Sequence, residues 1–134
     1  MKNISLKIKS ERTEISKFEK VLEKINKEFG LNRDRFINLQ IAVSEALVNA
    51  IIHGNKENQQ KRVHIEIYYD KSTLTIKIKD EGEGFNPEEI PYPTSHNNLL
   101  KEHGRGIFII KSLIDKFECN PSKKGTEFIL TIVK

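Results

Sequence analysis

With 134 residues, one cysteine, a net charge of +4 and 31% charged residues, the chain has the size and make-up of one soluble globular domain that buries a core without staples. No apolar run approaches the roughly 20 residues of a membrane helix, and the alternating start MKNISLKIKS is unlike a secretory leader, so the expected location is cytoplasmic, with no membrane partner. Basic and acidic residues interleave, as in SERTEISKFEKVLEKINKEFG, which describes solvated helix faces and gives no ground for direct nucleic-acid binding. Cys119 has no second thiol to pair with, which excludes an internal disulfide and argues against a zinc or redox centre.

In chain order, ISLKIK alternates Ile4, Leu6 and Ile8 as a half-buried strand does. From about Glu11 to Phe29, the residues Ile15, Phe18, Leu22, Ile25 and Phe29 share one helical face, and Gly30 stands where a helix stops. Asn32 can cap a second helix that runs through Phe36, Leu39, Val43, Leu47 and Ile51 to a break at HGN. VHIEIYY and LTIKIKD flank DKS and predict an antiparallel hairpin. From Asp80 to about His103 the pattern dissolves into Gly, Pro, Asn and Ser, a loop longer than most connections. GRGIFIIKSLIDKF predicts a third helix, GTEFILTIV a closing strand, and FEC a further strand paired with it across NPSKKG. The order predicts a single α+β domain, 1–134: a two-layer α/β sandwich with helices on one face of a mixed, mostly antiparallel sheet.

Within VSEALVNAIIHGN, the residues Glu45, Asn49 and His53 recur at steps of four inside an otherwise apolar helix, so a carboxylate, an amide and an imidazole line one stripe. Such a stripe satisfies buried backbone groups in some proteins and forms the wall of a site in others. An amide oxygen at Asn49 is a hard ligand suited to Mg2+, and Glu45 can orient or deprotonate a nucleophile. DEGEGF follows a strand, and its glycines permit a close backbone approach to a ligand, although a plain turn has the same composition. In HGRGIFII, glycines at a helix start leave partly positive N–H groups open to an anion, a phosphate cradle at Gly104 to Gly106.

Taken together, EALVNAIIHG, DEGEGF, GRGIFII and GTEF resemble the N-box, the two glycine boxes and the terminal Gly-Thr of the Bergerat-fold (GHKL) ATPases. Within that superfamily the chain is most similar to the anti-sigma factor serine/threonine kinases. The resemblance implies ATP and Mg2+ as cofactors, with Glu45 as general base and Asn49 as the magnesium ligand. It also implies that Asp80 accepts a hydrogen bond from the adenine amine, supported by Thr126. Gly82 and Gly84 would approach the nucleotide, and Gly104, Arg105 and Gly106 would face its phosphates. His53 would end the N-box helix in a structural role. The implied partners are a sigma factor and an anti-anti-sigma antagonist phosphorylated on Ser or Thr, with a homodimer or partner surface on the first strand and helix. The alternative is an ATP-binding switch module with little or no catalysis. NPEEIPYPTSHNNLLKEH is expected to close over bound phosphates as a lid.

Overall fold

The computed structural model describes residues 1–82 and 98–134, with 98–105 described by their backbone alone. Its strands are β1 (Lys2–Lys9), β2 (Arg62–Tyr69), β3 (Thr73–Lys79), β4 (Lys116–Ser122) and β5 (Gly125–Val133). Its helices are α1 (Thr13–Phe29), α2 (Arg33–Val48), continued by a π-helical turn (Asn49–Gly54), and α3 (Asn98–Leu113).

The strands lie in the order β1-β2-β3-β5-β4, and every neighbouring pair is antiparallel. A mixed, mostly antiparallel sheet was expected from the order of strands and helices, and a helical connection does precede β4. That connection does return β4 in the direction of β3, but β5 inserts between the two, so no parallel pair forms. Alternation then decides the faces. Val63, Ile65 and Ile67 of β2, Leu74, Ile76 and Ile78 of β3, and Phe128, Leu130 and Ile132 of β5 are all buried on one side. The apolar stripe of α1, Phe18, Leu22, Ile25 and Phe29, and that of α2, Leu39, Ala42, Val43, Ala46 and Leu47, join them in one core. Each large side chain among them contributes about 1.5–3 kcal/mol through burial.

Local chemistry sets the boundaries. Gly30 takes a left-handed φ of 83° and donates its N–H to Asn26 O, ending α1. Asn32 accepts the Arg35 N–H at 2.9 Å and opens α2. Asp70 Oδ1 accepts the N–H groups of Ser72 and Thr73 at 2.8 and 2.9 Å, which folds the β2–β3 turn.

Two features differ from expectation. Arg33–Gly54 forms 22 helical residues that contain an 18-residue window with a mean hydropathy of 1.3, enough by length and composition to cross a bilayer, whereas no such run was expected. In this fold that stretch is the central core helix, which explains its apolarity. The third helix begins at Asn98, six residues before Gly104, so Gly104 and Gly106 sit in its interior and do not form its N-terminus. Leu, Lys and Glu between Asn98 and Gly104 favour helix, and an interior glycine costs only about 0.5–1 kcal/mol relative to alanine. Of the expected lid, residues 86–97 lie outside the described residues, and 98–103 are the first turns of α3.

Candidate active site

Glu45 and Asn49 stand one turn apart where α2 passes into the π-helical turn. The ladder widens there, with the Asn55 N–H reaching back five residues to Ala50 O at 2.8 Å, and such bulges recur at functional sites. Asn49 is buried at 3% exposure, and its Nδ2 donates to Glu45 O at 3.1 Å. That bond fixes which way the amide points. Its Oδ1 is left buried without a hydrogen-bond partner among the described residues, a cost of about 1–3 kcal/mol that calls for a ligand. Gly106 closes over this pair from α3: a methyl group added there would lie 2.9 Å from Asn49 Nδ2 and 3.3 Å from Glu45 Oε2. Glu45, His53, Gly106 and Arg12 line a cavity of about 330 Å³ with Val48, Ile52 and Ile109. The structure thus brings Glu45, Asn49 and Gly106 together, and sets His53 on the same wall.

Asp80 follows β3 directly and is 2% exposed. Its Oδ1 accepts the N–H groups of Gly82 at 2.9 Å and Thr126 at 3.0 Å. Burial pushes the carboxyl up from the usual aspartate range, opposed by those two amides. Three glycine backbones crowd around it. A Cβ at Gly54 would sit 2.1 Å from Asp80 Oδ2, one at Gly125 2.1 Å from Asp80 O, and one at Gly82 2.2 Å from Gly54 O. Thr126, 1% exposed, spends its N–H on Asp80, while its Oγ1 is buried without a partner among the described residues. Gly84 lies outside the described residues. Gly104 and Arg105 are described by backbone alone, within α3.

Sequence reasoning missed the supports of Asp80. Gly54 and Gly125 were seen only as neighbours of His53 and Thr126. Asn55, 1% exposed, went without a role, although its side chain joins three elements: Oδ1 accepts the Glu81 N–H at 2.7 Å, and Nδ2 donates to Ser10 Oγ and Arg62 O, each at 3.0 Å. The signal available was weak, an Asn after Gly that equally marks a turn. Glu81 in turn accepts the Arg62 N–H at 2.9 Å and meets His64 Nε2 at 2.8 Å. The His64 contact, then the Arg62 amide, hold its carboxyl below the usual glutamate range.

The residues fit a bound nucleotide. An orphaned amide oxygen beside a carboxylate and a glycine suits a magnesium ion, which takes one or two protein oxygens and completes its shell with waters and phosphates. Among the described residues no group of three or more His, Cys, Asp and Glu side chains converges on a metal. A larger cavity of about 450 Å³ lies between Lys2, Glu28, Tyr69 and Lys134. It contains none of these groups, and its Glu28 is already engaged by Lys2 and Tyr69. The smaller cavity, lined by Glu45 and by the Gly106 that packs against Asn49, is therefore the better candidate.

An antiparallel sheet covered on one face by helices, with a polar pair at the end of its core helix and an aspartate ringed by glycines, defines an ATPase of the histidine kinase-like class. The family model described as "Histidine kinase-like ATPase domain" matches residues 8–132, and the chain belongs to that family. Among curated proteins it is 31% identical over 121 residues to the serine-protein kinase RsbW of Staphylococcus aureus, spanning 84% of this chain and 76% of that one. It is 28% identical over 123 residues to RsbW of Oceanobacillus iheyensis, spanning 87% and 78%. A solved structure of RsbU and RsbW domains from Mycobacterium tuberculosis superimposes with a TM-score of 0.72 at 13% identity, covering 98% of this chain and 32% of that one. A histidine kinase domain from Erythrobacter litoralis superimposes with a TM-score of 0.58 at 16% identity, covering 90% and 59%. These two show a shared fold.

Proposed function

We propose that the chain is an ATP-dependent protein serine/threonine kinase that acts as an anti-sigma factor, holding a sigma factor and phosphorylating a Ser or Thr of an antagonist protein. The observation that carries the catalytic part is that Glu45 and Gly106 line one cavity, with Asn49, whose Oδ1 is buried and unpaired among the described residues, packed directly against both. Membership of the ATPase family and the similarity to RsbW kinases support the same reading. A mere switch module would need the pocket but not a carboxylate at its wall.

The roles follow from chemistry. Asn49 Oδ1 would hold Mg2+, which when bound supplies charge neutralisation for the phosphates. The Glu45 carboxylate accepts the proton of the acceptor hydroxyl as that oxygen attacks the terminal phosphorus, the bond from phosphorus to the bridging oxygen breaks and ADP leaves. Asp80 accepts the adenine exocyclic amine, and Thr126 holds Asp80 in place. Gly82 and Gly84 give the base room; the amides of Gly104, Arg105 and Gly106, inside α3, are spent on the helix, so Gly106 serves by leaving space for the phosphates beside Glu45 and Asn49. This last role differs from the helix-start cradle read from sequence. The partner or homodimer surface is offered by α1 and the outer edge of β1, and the protein works in the cytoplasm.

The test is transfer of label from γ-labelled Mg-ATP to candidate antagonist proteins. Labelling on Ser or Thr is expected. Tight nucleotide binding with no transfer to any antagonist that the protein binds would return the reading to a switch module.

A further inference from the structure

We infer that Asn55 is a positioning residue for base recognition: it locks the end of the π-helical turn against the turn after β3, and so fixes the Asp80 carboxylate on which adenine selectivity depends. The inference rests on the reading of Asp80 as the adenine acceptor. It adds that this chain sets the aspartate through a buried amide hub reaching back to β1.

The geometry is closed on every side. Oδ1 of Asp80 is held by the amides of Gly82 and Thr126, which fixes the carboxylate relative to β5. Its Oδ2 rests against Gly54, where no Cβ would fit, so the place of Oδ2 depends on where the π-helical turn ends. Gly54 and Gly82 are in backbone contact as well. Asn55, next after Gly54, makes the only side-chain bond to the Glu81 N–H among the described residues, at 2.7 Å. Glu81 is next after Asp80. One amide thus ties the two residues adjacent to the Gly54–Asp80 contact.

The hub is anchored, not loose. Nδ2 of Asn55 spends both hydrogens, on Ser10 Oγ and on Arg62 O, and Ser10 passes its own hydrogen to Lys61 O at 2.6 Å. Ser10 and Asn55 are each 1% exposed, so water cannot substitute for a lost partner. A buried amide with its acceptor and both donors engaged has one orientation. A displacement well under 1 Å at Asp80 changes a hydrogen bond to a ligand amine steeply, because angle and distance both count.

The probes are ADP and IDP, since the second presents a carbonyl where adenine presents the amine. Affinities for both, measured by calorimetry with Mg2+ on the full chain, give a ratio for wild type, Asp80→Asn, Asn55→Ala and Ser10→Ala. The expected result is a strong preference for ADP in wild type, lost in Asp80→Asn, and lowered by about tenfold in Asn55→Ala through a selective fall in ADP affinity. Ser10→Ala, which loosens the hub without removing it, should lower the ratio by a smaller factor. It decides the matter if Asn55→Ala does not fold. A merely structural hub would lower the melting temperature and leave the ratio at its wild-type value in the folded variants, and that result overturns the inference while the Asp80 reading stands. If wild type itself binds both nucleotides equally, the Asp80 reading falls and the inference with it.

Discussion

Thr126 donates its backbone N–H to Oδ1 of Asp80 over 3.0 Å, across 46 residues of sequence. Through that bond the first residues of β5 and the end of β3 share one buried carboxylate, and Gly125 can come close enough only because it has no side chain. The consequences of placing a charge there can be measured.

Asp80→Asn keeps an acceptor for Gly82 and Thr126 but removes the charge that adenine's amine would meet. ADP affinity should fall by a factor corresponding to about 1–3 kcal/mol, tenfold or more. Stability should move the other way. The folded-state pKa is raised, chiefly by burial, so the contribution to stability is present below the unfolded pKa and is lost as pH rises through the folded one. At pH 7 the ionised form costs stability, and the Asn variant should melt no lower than wild type. In wild type, ADP binding should weaken on acidification at a pH above the usual aspartate range, a dependence absent from the variant. A pH series of calorimetric titrations and melts checks both signs.

Gly106→Ala sets a gain against a loss. Alanine inside α3 gains about 0.5–1 kcal/mol of helix propensity, but its methyl would come within 2.9 Å of Asn49 Nδ2, the end of a buried side chain. The amide must turn or retreat. Thermal stability is expected to change little, while magnesium-dependent nucleotide affinity falls clearly. Unchanged affinity would place the phosphates elsewhere.

Gly125→Ala should harm stability directly. Its φ of +132° is closed to L residues, and the new Cβ would meet Asp80 O at 2.1 Å. A loss of about 2–4 kcal/mol is expected in urea denaturation, more than strain alone would cost, because backbone must separate from backbone.

Cys119 offers a check on the absence of thiol chemistry in this reading. Burial pushes its thiol up to about 12, so little thiolate exists at pH 8. Alkylation of the folded protein at that pH should be much slower than of the urea-unfolded chain, and fast modification would contradict the packing of β4.

What the sequence made legible was local. The stripe of α1, the Gly30 stop, the Asn32 cap and the Asp70 turn each depend on residues a few positions apart, and all appear as expected. Glu45 and Asn49 were legible because a helix places them on one side, and α2 with the π-helical turn that continues it does so. The contributions of Gly54, Gly125, Ser10 and Asn55 were not legible, since each depends on an approach between segments distant in the chain. The start of α3 was misread because glycine was taken as a boundary, whereas the helix-favouring residues before Gly104 carry the helix back to Asn98. The insertion of β5 between β3 and β4 is likewise a matter of pairing that periodicity does not encode.

The central claim is that Glu45 serves catalysis and Asn49 serves binding, although they share one turn of helix and one hydrogen bond. Glu45→Gln preserves size and helix fit while removing the base, so phosphotransfer to the antagonist should fall by roughly 10²–10⁴-fold with ATP affinity and melting temperature retained. Asn49→Ala, measured in parallel, should lose magnesium-dependent nucleotide binding. The most direct measurement is the single-turnover rate of phosphorylation by Glu45→Gln at saturating Mg-ATP: the expected result is that large loss, and a wild-type rate would contradict the assignment of Glu45 as the base.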